Sequence, residues 1–242
     1  MPDHPEPAAG CYALVPCAGH GARSGAALPK QYVALAGQAM VAHTLQALAG
    51  VARLSATLVV LSPEDDQFEA AVPGFTGPRA WLARVGGASR AATVASGLQV
   101  LLQRGARPQD WVLVHDAARC LLRAAWVDRL IDAVLSATPA VCGGLLALPL
   151  ADTLKQAREG RVQATVDRRD KWAAQTPQMF RIAELQRALG AAADAVTDES
   201  SALEALGFSP LLVEAPAENF KVTWPADFEL AERLLLTRRP GA

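Results

Sequence analysis

The stretch Leu14-Val15-Pro16-Cys17-Ala18-Gly19-His20-Gly21-Ala22-Arg23, with Pro29-Lys30-Gln31-Tyr32 close behind it, decides how the rest of the chain is read. The apolar run from Cys11 to Val15 reads as a buried strand. It breaks into a loop with Gly19, Gly21 and Gly25 that carries two cations, Arg23 and Lys30. Glycines let backbone N–H groups approach a phosphate closely, and Arg and Lys neutralise what sits there. The spacing matches neither common phosphate loop. A P-loop places Ser or Thr directly after its Lys, and here Gln31 follows Lys30. The dinucleotide fingerprint needs Gly three residues after its second glycine; Ser24 holds that place and Gly25 comes one late. An ordinary glycine-rich βα turn with surface cations accounts for the same residues, so the loop alone leaves both readings open.

Working outward, strands and helices alternate through residues 11–150. Thr57–Leu61 and Trp111–Val114 are continuous apolar runs, expected as strands buried on both faces. Trp81–Val85 reads as a short strand ending in Gly86-Gly87, and Ala140–Leu148 as a longer one containing Gly143-Gly144. Met40–Ala49 has helical spacing, and Ser62-Pro63-Glu64 reads as a helix start, with an N-cap, Pro at the first position and an acid in the first turn. Ser89 is placed to cap a helix with Val94, Leu98, Leu101 and Leu102 on one face, ending near Gly105. A further helix carries Val127, Leu130, Ile131, Val134 and Leu135. This order predicts an α/β fold, a Rossmann-like three-layer sandwich with a mostly parallel twisted sheet and helices on both faces. Ligands bind at the carboxyl ends of strands in such sheets. The loops 16–30, 86–90 and 115–119 all follow strands and should converge on one edge.

From Pro149 to Trp172 the character changes. Two polar, alternating segments flank Glu159-Gly160 and read as a two-stranded ribbon, an arm over 149–172 that projects from the body. A lone hairpin is marginal in water, so the arm is expected to pack on a second copy of the chain. Helices are expected at Ile182–Leu189 and at Glu199–Leu206, the second capped by Thr197 or Asp198. Leu211–Val213 and Asn219–Thr223 read as strand-like, and Pro225–Leu236 as a closing amphipathic helix. Residues 1–10 are expected to be a disordered tail and 11–242 one domain.

Composition narrows the function classes. Half the chain is hydrophobic, 51%, which suits a packed core. Lys and Arg number 23 against 24 Asp and Glu, so there is no basic excess of the kind that marks a nucleic-acid partner, and any cationic site must be local. Cys11, Cys17, Cys120 and Cys142 form no C-x-x-C pair, and nothing suggests a disulfide framework or zinc site. Neither a signal core nor an apolar run of membrane-spanning length is present in the sequence. A cytoplasmic enzyme with no membrane partner is the expectation.

Asp116, directly after a hydrophobic strand and beside a phosphate cradle, is a natural Mg²⁺ ligand, since Mg²⁺ takes one or two carboxylates with phosphate oxygens and water. A structural carboxylate paired with Arg119 explains it as well. His115 would point to the opposite face and reads as structural. Gly86-Gly87 permits close approach of a flat base, or forms a plain tight turn. Arg168 and Thr153 lie on the arm, and Lys221 sits in an apolar context where it must reach solvent or an anion. Together Arg23, Lys30, Arg168 and Lys221 suit a substrate with two phosphorylated parts.

The start Pro16-x-Ala18-Gly19-x-Gly21-x-Arg23, Pro29-Lys30-Gln31-Tyr32, Val112 to Arg119, Asp152-Thr153-Leu154-Lys155, Thr165-Val166-Asp167-Arg168, Thr176-Pro177-Gln178, Thr197 to Ala202 and Asn219-Phe220-Lys221-Val222-Thr223 resemble the 2-C-methyl-D-erythritol 4-phosphate cytidylyltransferase family, in order, from about residue 11 to 237. The resemblance implies a nucleotidyltransferase of isoprenoid precursor biosynthesis, on the methylerythritol phosphate pathway. It would join CTP and 2-C-methyl-D-erythritol 4-phosphate into 4-diphosphocytidyl-2-C-methyl-D-erythritol and pyrophosphate, with Mg²⁺ or another divalent cation. By position, Arg23 and Lys30 match the residues that stabilise the triphosphate in the transition state, Asp116 the metal ligand, and Arg168 and Lys221 those that position the polyol phosphate. Pro16, Cys17, Ala18, Gly19, His20, Gly21, Gly87, Ala88 and Thr93 fall where CTP is bound. Asp116, Arg119, Thr153, Arg168, Thr176 and Lys221 fall where the second substrate is bound. In that family the arm crosses to the other subunit of a homodimer, so Thr153 and Arg168 would serve the partner's site. The sequence departs from the family at Cys17, where Ala is frequent; at Ala88, where an acid is common; at Thr93, where Ser is usual; and at Cys120, which replaces a Pro. A ribitol-5-phosphate cytidylyltransferase and a non-catalytic nucleotide-binding protein on the same scaffold are the alternatives. A nucleotide-sugar pyrophosphorylase usually adds a C-terminal domain, and here neither that nor a fused second enzyme is expected.

Overall fold

In the computed structural model, residues 9–19, 28–191 and 196–238 are described. The chain opens with strand β1, Cys11–Cys17, then a small hairpin, β2 at Ala34–Leu35 and β3 at Gln38–Ala39, that leads into helix α1, Met40–Ala49. Strand β4, Leu54–Leu61, is followed by the one-turn helix α2, Phe68–Ala71, strand β5, Ala80–Ala83, and helix α3, Arg90–Gln103. Strand β6, Trp111–Val114, helix α4, Ala124–Ser136, and strand β7, Gly143–Pro149, come next. The arm strands β8, Leu154–Arg158, and β9, Arg161–Val166, precede the long strand β10, Trp172–Arg181. Helices α5, Ile182–Ala191, and α6, Glu199–Glu204, strand β11, Leu211–Glu214, and helix α7, Pro225–Thr237, complete the order.

Seven strands form one sheet in the order β11-β7-β10-β6-β1-β4-β5. Six run parallel, and only β10 is antiparallel to its neighbours β6 and β7. Alternation along the strands sorts the core into two faces. Ala13, Val15, Val59 and Leu113 face Val41, Leu45 and Leu48 of α1 and Val127, Leu130, Ile131 and Val134 of α4. Leu14, Leu58, Val60, Val112 and Phe180 face Val94, Leu98 and Leu101 of α3, with α5 and α6 alongside. Burying each large apolar side chain stabilises the fold by about 1.5–3 kcal/mol. α3 lies close on the sheet at Gly97, where a Cβ would stand 2.7 Å from Leu14 Cδ1. A third cluster of Leu35, Met40, Ala118, Leu121, Val222 and Ala231 seats α7 over the end of β6. That packing carries the segment 219–223 back beside Asp116.

The α/β reading and the alternating order of elements hold, and Ser89 caps α3 by accepting the Ala92 N–H at 3.1 Å. The arm also stands where expected, its strands bonded only to each other in the described structure. Several expectations need correction. Ser62-Pro63-Glu64 starts no helix: Ser62 Oγ donates to Glu64 at 2.6 Å, and Asp65 accepts the N–H groups of Gln67 and Phe68 instead, so only the turn at α2 forms. Asn219–Thr223 is not a strand: Ala217–Asn219 is a 3₁₀ turn, and the segment after it is tied by Val222 N–H to the Ala118 carbonyl at 2.9 Å. β10 was not anticipated, because Pro177 and the polar residues around it break the apolar pattern. Pro177 sits at the break in register between Ala174 and Gln178, where a missing donor costs the ladder nothing. Leu135 is half exposed rather than part of the α4 core face. At the amino end, residues 1–8 lie outside the described residues, but Gly10 is no free tail. Its N–H donates to Asp110 Oδ1 at 2.9 Å, and its carbonyl accepts from Trp111 N.

Candidate active site

The carboxyl ends of β1, β5 and β6 converge, as the strand order requires, on a cavity of about 370 Å³. Its floor is Pro16, Cys17, Ala18 and Gly19 after β1; one side is Gly87, Ala88, Ser89, Arg90 and Thr93; the other holds Asp116, Ala117 and Ala118. Lys30, Gln31 and Lys221 line it as well.

The β1 loop enters the cavity under restraint. Gln31 Nε2 donates to the carbonyls of Gly19 at 3.1 Å and Cys17 at 3.4 Å, which engages those carbonyls from the Pro29–Tyr32 side. Beside it, Lys30 Nζ donates to the Val222 carbonyl at 3.2 Å, joining the first loop to the segment that carries Lys221. The Gly86-Gly87 turn is tight on both sides. A Cβ on Gly86 would lie 2.3 Å from Ala18 Cβ, and one on Gly87 would lie 2.6 Å from Ala92 Cβ. The Thr93 hydroxyl accepts from Gly87 N at 3.1 Å and donates to the Ser89 carbonyl at 2.9 Å. Its hydroxyl therefore braces this turn, and the residue is nearly fully buried.

Asp116 is the electrostatic centre. Its Oδ1 accepts from Arg90 Nε at 2.9 Å, its Oδ2 meets Lys221 Nζ at 2.9 Å, and Arg119 Nε lies 3.7 Å away. Burial alone would raise this carboxyl, but Arg90, Lys221 and Arg119 outweigh it and hold the group well below the usual carboxylate range. Behind it, Thr176 Oγ1 accepts the Asp116 N–H at 3.1 Å and bonds His115 Nδ1 at 3.0 Å. The Arg119 carbonyl, 3.3 Å from Nε2, can only accept, so Nε2 carries the ring proton and donates to it, and Nδ1 accepts the Thr176 hydroxyl proton. His115 is fully buried and neutral; desolvation pushes it down to about 4. The structural reading of His115 fits this arrangement.

The remaining site candidates divide by location. Arg119 is buried and gives Nη1 and Nη2 to the carbonyls of Asn219 at 2.7 Å and Ala174 at 3.3 Å. It and Thr176 stand behind the cavity wall rather than in its lining. Thr153 and Arg168 are exposed at the base of the arm and do not line the cavity of their own chain. His20, Gly21 and Arg23 lie outside the described residues. Sequence reasoning missed Gln31 as a brace and missed the pair Arg90–Glu199, whose atoms meet at 2.6 Å behind Asp116. One signal pointed to Arg90: a cation in the first turn of a helix opposes the helix dipole and calls for a partner.

Among the described residues no group of three or more His, Cys, Asp and Glu converges, so no all-protein metal cage is built. Among the described residues Asp116 is the one carboxylate in the cavity lining, and Arg90 and Lys221 already meet it. A bare divalent ion would be repelled there, whereas one bound to a polyphosphate would bring its own counter-charge and oxygens.

The family model described as 2-C-methyl-D-erythritol 4-phosphate cytidylyltransferase matches residues 11–237. The protein of Laribacter hongkongensis bearing that name is 54% identical over 230 residues, covering 93% of this chain and 96% of its own. A relative from Albidiferax ferrireducens, named bifunctional enzyme IspD/IspF, is 57% identical over 231 residues. That match takes in 96% of this chain but 54% of the relative, so the chain spans about half of that protein's length. Among solved structures, a crystal structure of 4-diphosphocytidyl-2C-methyl-D-erythritol synthase superposes with a TM-score of 0.82 at 40% identity, covering 94% of this chain and 99% of that one.

Proposed function

The chain belongs to the 2-C-methyl-D-erythritol 4-phosphate cytidylyltransferase family, and from that membership we propose how its residues join CTP and 2-C-methyl-D-erythritol 4-phosphate into 4-diphosphocytidyl-2-C-methyl-D-erythritol and pyrophosphate. One observation carries the reading: a nearly neutral chain brings Lys30 and Lys221 together with Asp116 in one cavity at the carboxyl ends of its parallel strands. A local cationic cavity of this kind suits two polyanions that must meet.

The nucleophile is an oxygen of the polyol phosphate, already ionised near neutral pH because its second pKa is about 6, so no general base is required. It attacks the α-phosphorus of CTP; the bond to the β-phosphate oxygen breaks, and pyrophosphate leaves with that electron pair. The obstacle is repulsion, roughly 4 kcal/mol for two unit charges ~4 Å apart at an effective dielectric of about 20. Lys30, and Arg23 beyond the described residues, neutralise the triphosphate as negative charge builds on the leaving group. Lys221 orients the attacking phosphate. The backbone of Pro16 to Gly21 and the Gly87-Ala88 turn hold the nucleotide, the base lying against Gly86-Gly87. Catalysis is then alignment and charge stabilisation. Mg²⁺, when bound with the triphosphate, supplies further charge neutralisation, with Asp116 as its protein ligand.

The reading extends to a homodimer. The arm is exposed almost throughout, with Val162 64% accessible, and a two-stranded ribbon has little stability alone. Packed on a second copy, it would carry Thr153 and Arg168 to the partner's cavity. A cytoplasmic setting accompanies the proposal: all four cysteines are free, and no described helix is long and apolar enough to cross a membrane.

The test is pyrophosphate release from CTP and Mg²⁺, with methylerythritol phosphate and ribitol 5-phosphate in parallel. Release with the first substrate is expected. Release with the second alone would keep the mechanism and overturn the substrate, and silence with both in a folded, CTP-binding sample would favour a non-catalytic nucleotide binder.

A further inference from the structure

An ion pair stands beside Asp116 that the transfer chemistry above does not use: its carboxylate, Glu199, is fully buried, and its guanidinium, Arg90, is 29% exposed where it lines the cavity. Arg90 is the first residue of α3, an end that disfavours cations. Its guanidinium meets two anions. Nη1 and Nη2 grip the Glu199 carboxylate at 2.6 and 3.1 Å, and Nε donates to Asp116 Oδ1 at 2.9 Å. Glu199 opens α6 and is 1% exposed. A guanidinium is a planar, rigid fork. With two of its nitrogens fixed by Glu199, Nε has one direction left, and Asp116 Oδ1 lies there. Oδ2 is thereby turned to Lys221 Nζ, 2.9 Å away.

We propose that Arg90 is a positioning residue of the transfer site and Glu199 its anchor, the pair aiming the Asp116 carboxylate and, through it, the Lys221 ammonium. The inference rests on the roles given above to Asp116 and Lys221. Glu199 cancels the charge of Arg90, so the pair gives direction without adding much to the field in the cavity. Two helices far apart in sequence, α3 and α6, are clamped at the same point, which keeps the aim fixed as substrates enter.

The experiment uses the double variant Arg90→Met/Glu199→Leu. Replacing a buried ion pair with apolar residues of similar volume commonly leaves stability unchanged or higher, so this variant separates folding from aim. The expected result is a wild-type melting temperature, an unchanged KM for CTP, a raised KM for the polyol phosphate, and a kcat lower by about 100-fold, the scale set by a misplacement near 1 Å. In a crystal structure of the variant, Asp116 should leave its present position or take two conformers. Arg90→Lys keeps the charge and loses the fork, and should fall between the two. A double variant with wild-type kcat, or with Asp116 unmoved, overturns the proposal. If the double variant does not fold, Arg90→Lys decides by the same two readouts. A wild-type chain that releases no pyrophosphate would instead count against the reaction, and the position of Asp116 in the variant would then decide the role of Arg90 by itself.

Discussion

Replacing Gly86 with Ala should damage turnover through the floor of the cavity, without touching a charged group. The added Cβ would lie 2.3 Å from Ala18 Cβ and 2.6 Å from the Leu61 carbonyl oxygen. Ordinary contact begins at 3.4 Å, so the two methyl carbons must part by 1.1 Å. Neither obstacle is the free end of a flexible side chain. Ala18 follows β1 directly, and Leu61 ends β4 and accepts the Gly86 N–H at 2.8 Å. Either the Gly87-Ala88 turn lifts away from the floor or the floor sinks. Overpacking of this sort costs about 1–3 kcal/mol, which in a chain of this size lowers Tm by roughly 2–12 °C. A shift near 1 Å between nucleotide and attacking phosphate costs on the order of 100-fold in rate. Steady-state pyrophosphate release with varied CTP, beside a thermal melt, measures both. Gly74→Ala is the control, because a Cβ there meets nothing within 4 Å. A Gly86→Ala enzyme with wild-type Tm and kcat/KM would refute the close approach of these two loops.

Lys30→Ala should lower kcat by about 10²–10³-fold, the scale of losing one donor to a developing charge; unchanged kcat would remove Lys30 from the chemistry. Mixed with Arg168→Ala chains and allowed to exchange subunits, it should regain up to about one quarter of wild-type turnover, since each mixed dimer of two-fold symmetry keeps one intact site. No recovery would argue against Arg168 acting across subunits. Asp110 gives a stability prediction away from the cavity. Burial pushes its carboxyl up, but the Arg107 guanidinium and the N–H groups of Arg107 and Gly10 together hold it below the usual carboxylate range. A depressed folded value means stability that is present above pH ~4 and lost as pH falls through the folded value. Asp110→Asn should therefore unfold more easily at pH 7 and show a shallower loss of stability on the acid side; an equal fall in unfolding free energy between pH 7 and pH 3 for wild type and variant, each from urea titrations, would remove that linkage.

What could be read in the sequence follows from how local its cause is. β1, β4 and β6 are buried on both faces, and their apolar runs announce them. α3 has its cap and stripe within a few residues of each other, and the arm has its alternation and its Glu159-Gly160 turn. β10 was hidden because its centre is polar for reasons that lie elsewhere. Thr176 serves His115 and Asp116, Gln175 meets Asn219, and Gln178 meets Asp198. The same rule divides the site. Gly87 and Asp116 lie a few residues past strand ends, and Lys30 lies on the connection that leaves β1, so topology brings them to one edge. Arg90 and Glu199 are 109 residues apart, and no short-range pattern joins them.

The single reversed strand has a consequence for how the protein is made. β1, β4, β5 and β6 all lie within the first half of the chain and can pair as soon as they emerge. The far side of β6 is covered by β10, and roughly sixty residues, including the whole arm, must be synthesised in between. At about 5–20 residues per second, that interval lasts ~3–12 s. Throughout it, Trp111–Val114 presents unpaired backbone groups flanked by apolar side chains, the pattern that recruits foreign strands. The nascent chain is thus most exposed to aggregation between its first half and β10, and that is where a chaperone would be expected to hold it. The last described cation of the cavity, Lys221, arrives later still, so no ribosome-bound fragment ending before it can carry the finished site.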